Sequence, residues 1–206
     1  MKVKLLPTGP LAVNTYYVLD ETSGKGFILD PGGYDPRLTR EVEKDDATIE
    51  YIILTHGHGD HIGGVKGYQS DFPEAKLVAS SKETDLLADP NKNMSTMTMG
   101  KPVSIVPDIP VEDGDTLMMG NVELKFLLTP GHTPGSMCIY TGNALFSGDT
   151  LFQNSIGRTD FPGGSYEQLK EGVHKKLFVL PDETAVYPGH MGTTTIGYEK
   201  ENNPFV

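Results

Sequence analysis

Cysteine is nearly missing from this 206-residue sequence, where Cys138 stands alone. One cysteine cannot close an intramolecular disulfide and cannot build a multi-cysteine zinc site. Basic residues are also scarce, 17 Lys and Arg against 28 Asp and Glu, for a net charge of −11. A chain of that sign lacks the counterion-release attraction that drives nucleic-acid binding, so nucleic acid is not an expected partner. No apolar run approaches the ~20 residues that span a bilayer, so no membrane contact is expected either. The start, MKVKLLPTGP, has two consecutive leucines before Pro7, whereas a secretory signal needs about 7–15 apolar residues. A cytoplasmic protein is the resulting expectation.

What is present suits one globular domain over residues 1–206, with 37% apolar residues to fill a core. Short strand-like runs recur between Gly- and Pro-rich turns. They fall at 3–6, 14–19, 26–29, 50–54 and 76–79, then at 103–106, 116–119, 122–128, 136–140, 144–147 and 185–187. Gly120-Asn121 suits a two-residue hairpin turn, and a second hairpin is expected around Thr141-Gly142-Asn143. Helices are predicted over 34–44, from His61 to about Ser70, over 165–179 and over 195–202. Ser80 with Glu83 fits a capping box that opens another helix through Leu87. The 165–179 helix should bury Tyr166, Leu169, Val173 and Leu177 on one face. Strands arrive in two batches, each followed by helices, which favours two packed sheets with helices outside. Residues 89–102, with Met94, Met97 and Met99, read as a flap over a site or as a surface connection. The second is preferred, its methionines filling gaps on the core.

Five of the six histidines lie in Gly-rich loops directly after a strand-like run. His56, His58 and His61 share one loop with Asp60, His132 sits in TPGHTPGS and His190 in YPGH; Asp149 follows its strand likewise in SGDT. Glycine beside a ligand lets the backbone turn and approach an ion. His56 and His58, two apart in extended backbone, point the same way and can grip one ion. Asp60 and His61, past a glycine, suit a second, and Asp149 could bridge both. Imidazole and carboxylate donors suit zinc, iron or manganese. Taken alone, Asp60 also fits a helix cap, and His132 and His190 fit turn histidines. His174 lies inside a predicted helix and receives no function. Cys138 alternates with Met137 and Ile139 and reads as a small buried apolar residue.

The sequence resembles the metallo-β-lactamase superfamily through THGHGDH at 55–61, GH at 131–132, GD at 148–149 and GH at 189–190. That resemblance implies an αββα four-layer sandwich, two mixed sheets with helices on the outer faces, and a dinuclear site of two divalent ions, zinc first, with iron or manganese as alternatives. It gives His56, His58 and His132 to one ion, Asp60, His61 and His190 to the other and Asp149 to both, with Asp60 also positioning the attacking hydroxide. Asp30 in ILDPG resembles an aspartate that orients a ligand histidine, or else is a strand-end turn residue. SGDTLFQNSIGRTDFPGG at 147–164 and TTIGYEKENNPF at 194–205 resemble the compact hydroxyacylglutathione hydrolases. The implied reaction is thioester hydrolysis, with S-lactoylglutathione or another S-acylglutathione as the small-molecule partner. The helical region that completes the glutathione site in longer members has no counterpart in the 16 residues after His190. Arg158 matches a basic residue near the glutathione glycine end, or pairs with Asp160 to pin its own loop. The alternative activity on the same frame is a mononuclear iron persulfide dioxygenase using His56, His132 and Asp149.

Overall fold

Alternation along the strands sends side chains to two buried faces, and that is what stacks four layers. The computed structural model describes residues 1–206. Its first sheet places β1 (Lys2–Thr8), β2 (Val13–Asp20), β3 (Lys25–Leu29), β4 (Thr48–Ile53), β5 (Lys76–Ser80) and β6 (Ile109–Val111) side by side in that order. β1 to β3 pair antiparallel, and β3 to β6 pair parallel. The second sheet uses β7 (Thr116–Met119), β8 (Val122–Leu128), β9 (Met137–Tyr140) and β10 (Ala144–Gly148). A small hairpin of β11 (Leu151–Phe152) and β12 (Ser155–Ile156) follows, and β13 (Ala185–Pro188) and β14 (Thr194–Thr195) complete the sheet beside β10.

Between the sheets, Tyr16, Val18, Phe27 and Leu29 pack against Phe126, Ile139 and Phe146. Their neighbours in sequence, Tyr17, Leu19 and Ile28, face outward and are covered by helices α1 (Pro36–Lys44), α2 (Gly59–Ile62) and α3 (Val65–Asp71). The short helices α4 (Thr84–Ala88) and α5 (Ser95–Met99) flank that layer, and α6 (Tyr166–Gly172) and α7 (Ile196–Asn202) lie over the second sheet. There Cys138 and Leu145 pack under Leu169, Val173, Leu177 and Ile196. Each such fully buried aliphatic or aromatic side chain contributes roughly 1.5–3 kcal/mol. This is the expected αββα sandwich of two mixed sheets. No helix is long and apolar enough to cross a membrane.

Four local expectations change. Residues 103–106 form no strand: Val103 and Ile105 are buried under the first sheet, and the pairing strand is β6, further along. The helix expected from His61 to Ser70 breaks at Gly63-Gly64 into α2 and α3. In those two glycines a side chain would strike the Gly32 and Gly33 carbonyls, at 2.5 and 2.6 Å. The 165–179 helix ends α6 at Gly172 and finishes as a π-helical turn, Val173–Leu177, with Tyr166 exposed rather than buried. Of the 89–102 methionines only Met99 packs inward, against Gly63: Met97 is 70% exposed and Met94 lies beside the cavity described below. His174 is exposed against Phe178, and Cys138 is fully buried, its thiol pushed up to about 11 by burial.

Candidate metal centre

Strand direction alone brings the candidate ligands together. β3 and β4 run parallel, so Asp30 and the loop from Thr55 emerge on one edge of the first sheet. In the second sheet β8 and β10 are both antiparallel to β9, and β10 is parallel to β13. His132, Asp149 and His190 therefore leave the same edge. The two edges are stitched by Met137 N donating to the Thr55 carbonyl at 2.9 Å and Asn14 N donating to the Gly189 carbonyl at 2.8 Å. Glycine is required at 189, where a Cβ would sit 2.4 Å from Asp149 Oδ1 and 2.8 Å from His61 Cε1.

All seven residues converge. Nε2 of His132 lies 2.9 Å from His58 Nδ1 and 3.2 Å from His56 Nε2. On the other side, Asp60 Oδ2 approaches His61 Nε2 at 3.7 Å and His190 Nε2 at 3.6 Å. Asp149 stands between, 3.4 Å from His61, 3.6 Å from His132 and 3.6 Å from His190. Three donor sets fall within 4.8 Å: His56, His58 and His132; Asp60, His61 and His190; and His56, His61 and Asp149. Asp60 lies inside α2 and its loop has no side-chain cap, so the helix-cap reading does not hold.

Backbone and side-chain partners fix which nitrogen faces the centre. His56 Nδ1 donates to Thr55 Oγ1 at 3.1 Å, His132 Nδ1 to the Arg158 carbonyl at 2.8 Å, and His61 Nδ1 to Asp30 Oδ2 at 3.0 Å. Each leaves Nε2 as the nitrogen that faces the centre. Asp30 thus makes the contact to a candidate ligand histidine that an orienting aspartate would make, and it also accepts from Thr55 N and Oγ1 at 2.8 and 2.7 Å. Burial and the neighbouring histidines hold His56 well below the ordinary imidazole range, and burial takes His58 down to about 3. Burial opposes charge on His61 as well, but the Asp149, Asp60 and Asp30 carboxylates outweigh it and raise that ring well above the ordinary value. Burial would raise Asp149, yet the facing histidines, His61 first, hold it low. One half of the cluster is thus a set of neutral imidazoles and the other is rich in negative charge.

Buried polar atoms are almost always paired, yet His61 Nε2 and Asp149 Oδ1 have no hydrogen-bond partner. Imidazole nitrogens and carboxylate oxygens that converge with two of them unpartnered fit divalent cations. The cluster is a His/Asp site suited to holding divalent metal.

A cavity of about 490 Å³ opens onto it, with Leu11, Met97, Phe152, Phe161 and Met191 as apolar lining. Arg158 lies on its wall with Nε and Nη2 each 2.7 Å from Asp160, and the guanidinium sits 3.7 Å over the Phe161 ring. The loop-pinning pair expected as one reading of Arg158 is therefore formed. Sequence reasoning missed Glu83, a fully buried carboxylate on the far side of the histidines. Ser80 does cap the turn, accepting from Lys82 N at 3.3 Å, but Glu83 turns away from it, so only half of the capping box exists. The apolar lining was missed too, because its residues come from five separate segments with no shared spacing.

Residues 8–190 match the family model described as the Metallo-beta-lactamase superfamily. Probable metallo-hydrolase YqgX of Bacillus subtilis (strain 168) is 36% identical over 209 residues, covering 100% of this chain and 98% of that protein. Hydroxyacylglutathione hydrolase GloC of Haemophilus influenzae (strain ATCC 51907 / DSM 11121 / KW20 / Rd) is 32% identical over 209 residues, with the same coverage. Among solved structures, BLEG-1 B3 metallo-beta-lactamase superposes with a TM-score of 0.91 at 37% identity over 99% of both chains. TTHA1623 in a di-iron-bound form gives 0.84 at 31% identity, over 98% of this chain and 100% of that one. In sequence and in layer order alike, the chain belongs to the metallo-beta-lactamase superfamily.

Proposed function

We propose that the protein is a two-metal hydrolase of thioesters, with S-acylglutathiones such as S-lactoylglutathione as the substrate class. The observation that carries this reading is the position of Asp149 within one buried cluster, 3.6 Å from His132 on one side and 3.4 and 3.6 Å from His61 and His190 on the other. Relatives support it: GloC is named a hydroxyacylglutathione hydrolase, and TTHA1623 was solved with two irons.

His56, His58 and His132 would hold one ion, Asp60, His61 and His190 the other, and Asp149 would reach both. When bound, such ions supply Lewis acidity, lowering the pKa of water and polarising a carbonyl oxygen. The chain's own residues do the rest. Asp30, Thr55 and the Arg158 carbonyl keep three imidazoles in the tautomer that presents Nε2. Asp60, which faces His190 and His61, would orient the attacking oxygen. Phe152, Phe161 and the methionines keep bulk water from the thioester. A leaving thiolate with a pKa near ~8.5 needs little protonation, which suits a cavity whose one arginine, Arg158, is already paired.

The test is metal analysis joined to a substrate panel: S-lactoylglutathione, thioesters of other thiols, and a β-lactam prompted by the similarity to BLEG-1. Two ions per chain with thioester turnover is the expected result. Turnover of the β-lactam alone, or of nothing with two ions restored, overturns it. One observation favours a second reading. His56, His132 and Asp149 form a two-histidine, one-carboxylate set around His132 Nε2, which suits a single ferrous ion. One iron per chain with oxygen uptake on glutathione persulfide would establish a persulfide dioxygenase instead.

A further inference from the structure

Glu83 belongs to none of the donor sets, yet its carboxylate is fully buried and touches both loops that carry the neutral histidines. Oε2 accepts from Gly57 N at 2.7 Å, and Gly57 lies between His56 and His58. Oε1 accepts from Gly135 N at 2.7 Å and Thr133 Oγ1 at 2.9 Å, directly after His132. We propose that Glu83 is a positioning residue that sets the distance between the His56–His58 loop and the His132 loop, and so tunes the affinity of the all-histidine metal position.

The fit is built from both sides. A Cβ at Gly57 would sit 3.1 Å from Glu83 Oε2, and one at Gly135 would sit 2.6 Å from Oε1. Glycine at those positions lets both backbones close on the carboxylate. Every group that faces it is a donor, so an amide in its place would turn an N–H toward another N–H or lose a bond. A buried charge is weak evidence for stability, since an apolar side chain of similar volume often stabilises as well. What a carboxylate adds is a fixed geometry for two segments distant in sequence. Partners of ligand histidines typically tune metal affinity about 10–100-fold. None of the three hydrogen bonds reaches Asp60, His61 or His190, so the effect should be confined to one half of the centre.

The experiment rests on the two-ion reading and measures zinc affinity by equilibrium dialysis, independent of activity. Wild type must first bind two zinc ions, and His190→Ala and His132→Ala one each; failure there sinks the two-ion reading rather than the role of Glu83. In the His190→Ala background, Glu83→Gln is expected to weaken the remaining zinc about 10–100-fold. In the His132→Ala background it should change affinity less than about threefold, a selectivity that general loosening does not produce. Equal weakening in both backgrounds, or none in the first, overturns the proposal. If Glu83→Gln does not fold, Thr133→Val decides: a smaller loss in the first background alone supports the role, and any other pattern refutes it.

Discussion

His61 is bonded at Nδ1 to Asp30 and has an orphaned, fully buried Nε2. Asp30 itself sits at φ +46°, a left-handed conformation unusual for aspartate, held there by Thr15 Oγ1 donating to its carbonyl at 2.8 Å. Such strain is worth roughly 1–3 kcal/mol and persists where surrounding contacts over-determine it. Here it aims one carboxylate at both Thr55 and His61. In Asp30→Asn the amide nitrogen would face His61 Nδ1, favouring the tautomer whose proton sits on Nε2 and blocks a metal. Zinc affinity is expected to fall about 10–100-fold; unchanged affinity by dialysis would remove the orienting role. Truncation of a proposed ligand acts differently: Asp60→Ala or His190→Ala should lower bound metal from two ions toward one, by elemental analysis. The seven cluster residues were legible in the sequence because each sits in a Gly-containing loop directly after a strand-like run. Glu83 was not, because a Glu three residues after Ser80 is also what a capping box requires, and only the fold decides where its carboxylate turns.

Between residue and whole lie the segments that frame the cavity. The 89–102 segment is anchored at its base, Gly59 N donating to the Asn93 carbonyl at 2.6 Å and Asn93 Nδ2 to the Val103 carbonyl at 2.9 Å. Met94 is held at φ +62°, and α5 then carries Met97 out over the opening. The sequence could not separate this arrangement from a surface connection, since methionine suits a core gap as well as a flexible wall. The same ambiguity produced the strand expected at 103–106, where apolar alternation marks burial under the sheet without pairing. Met97→Ala should raise KM several-fold for a bulky thioester and leave kcat within about twofold, since uniform binding is what such a contact supplies. A fall in kcat with KM unchanged would place Met97 elsewhere in the mechanism. At the opposite end of β2, Asp20 clasps the β7–β8 turn, accepting from Ser23 Oγ at 2.6 Å and Asn121 N at 3.0 Å. Ser23 first, then the Asn121 backbone, lower its carboxyl to about 2. A depressed carboxylate stabilises fully above its unfolded pKa of about 3.9 and loses that contribution as pH falls through the folded value. Asp20→Asn should therefore lower the melting temperature at pH 7, by a gap that narrows between about pH 4 and pH 2. A gap that does not change with pH would refute the clasp's electrostatic share.

Across the molecule, the metal centre is also a joint between the sheets. His56, His58, Asp60 and His61 leave the first sheet, while His132, Asp149 and His190 leave the second. Each proposed ion therefore takes ligands from both halves of the sandwich, and its binding free energy adds to the cohesion of the whole chain. The fold's layers were readable because strands arrived in two batches; that the two sheets meet edge to edge at this site depends on their relative direction, which no local pattern encodes. An ion that binds only the folded state stabilises it by about 2.7 kcal/mol at a hundred times its Kd. Two such ions give roughly 5 kcal/mol, and about 1 kcal/mol moves the melting point of a chain this size by about 2–4 °C. Chelation should thus lower the melting temperature by roughly 10–20 °C, with zinc restoring it in proportion to the ions rebound. The Asp30, Asp60 and Asp149 carboxylates, all gathered around the buried His61, sharpen the expectation, because a bound cation offsets their mutual repulsion. Calorimetry of stripped and reloaded protein checks this. A melting point indifferent to chelation, with loss of both ions confirmed, would mean that the sheets are held by their shared core alone.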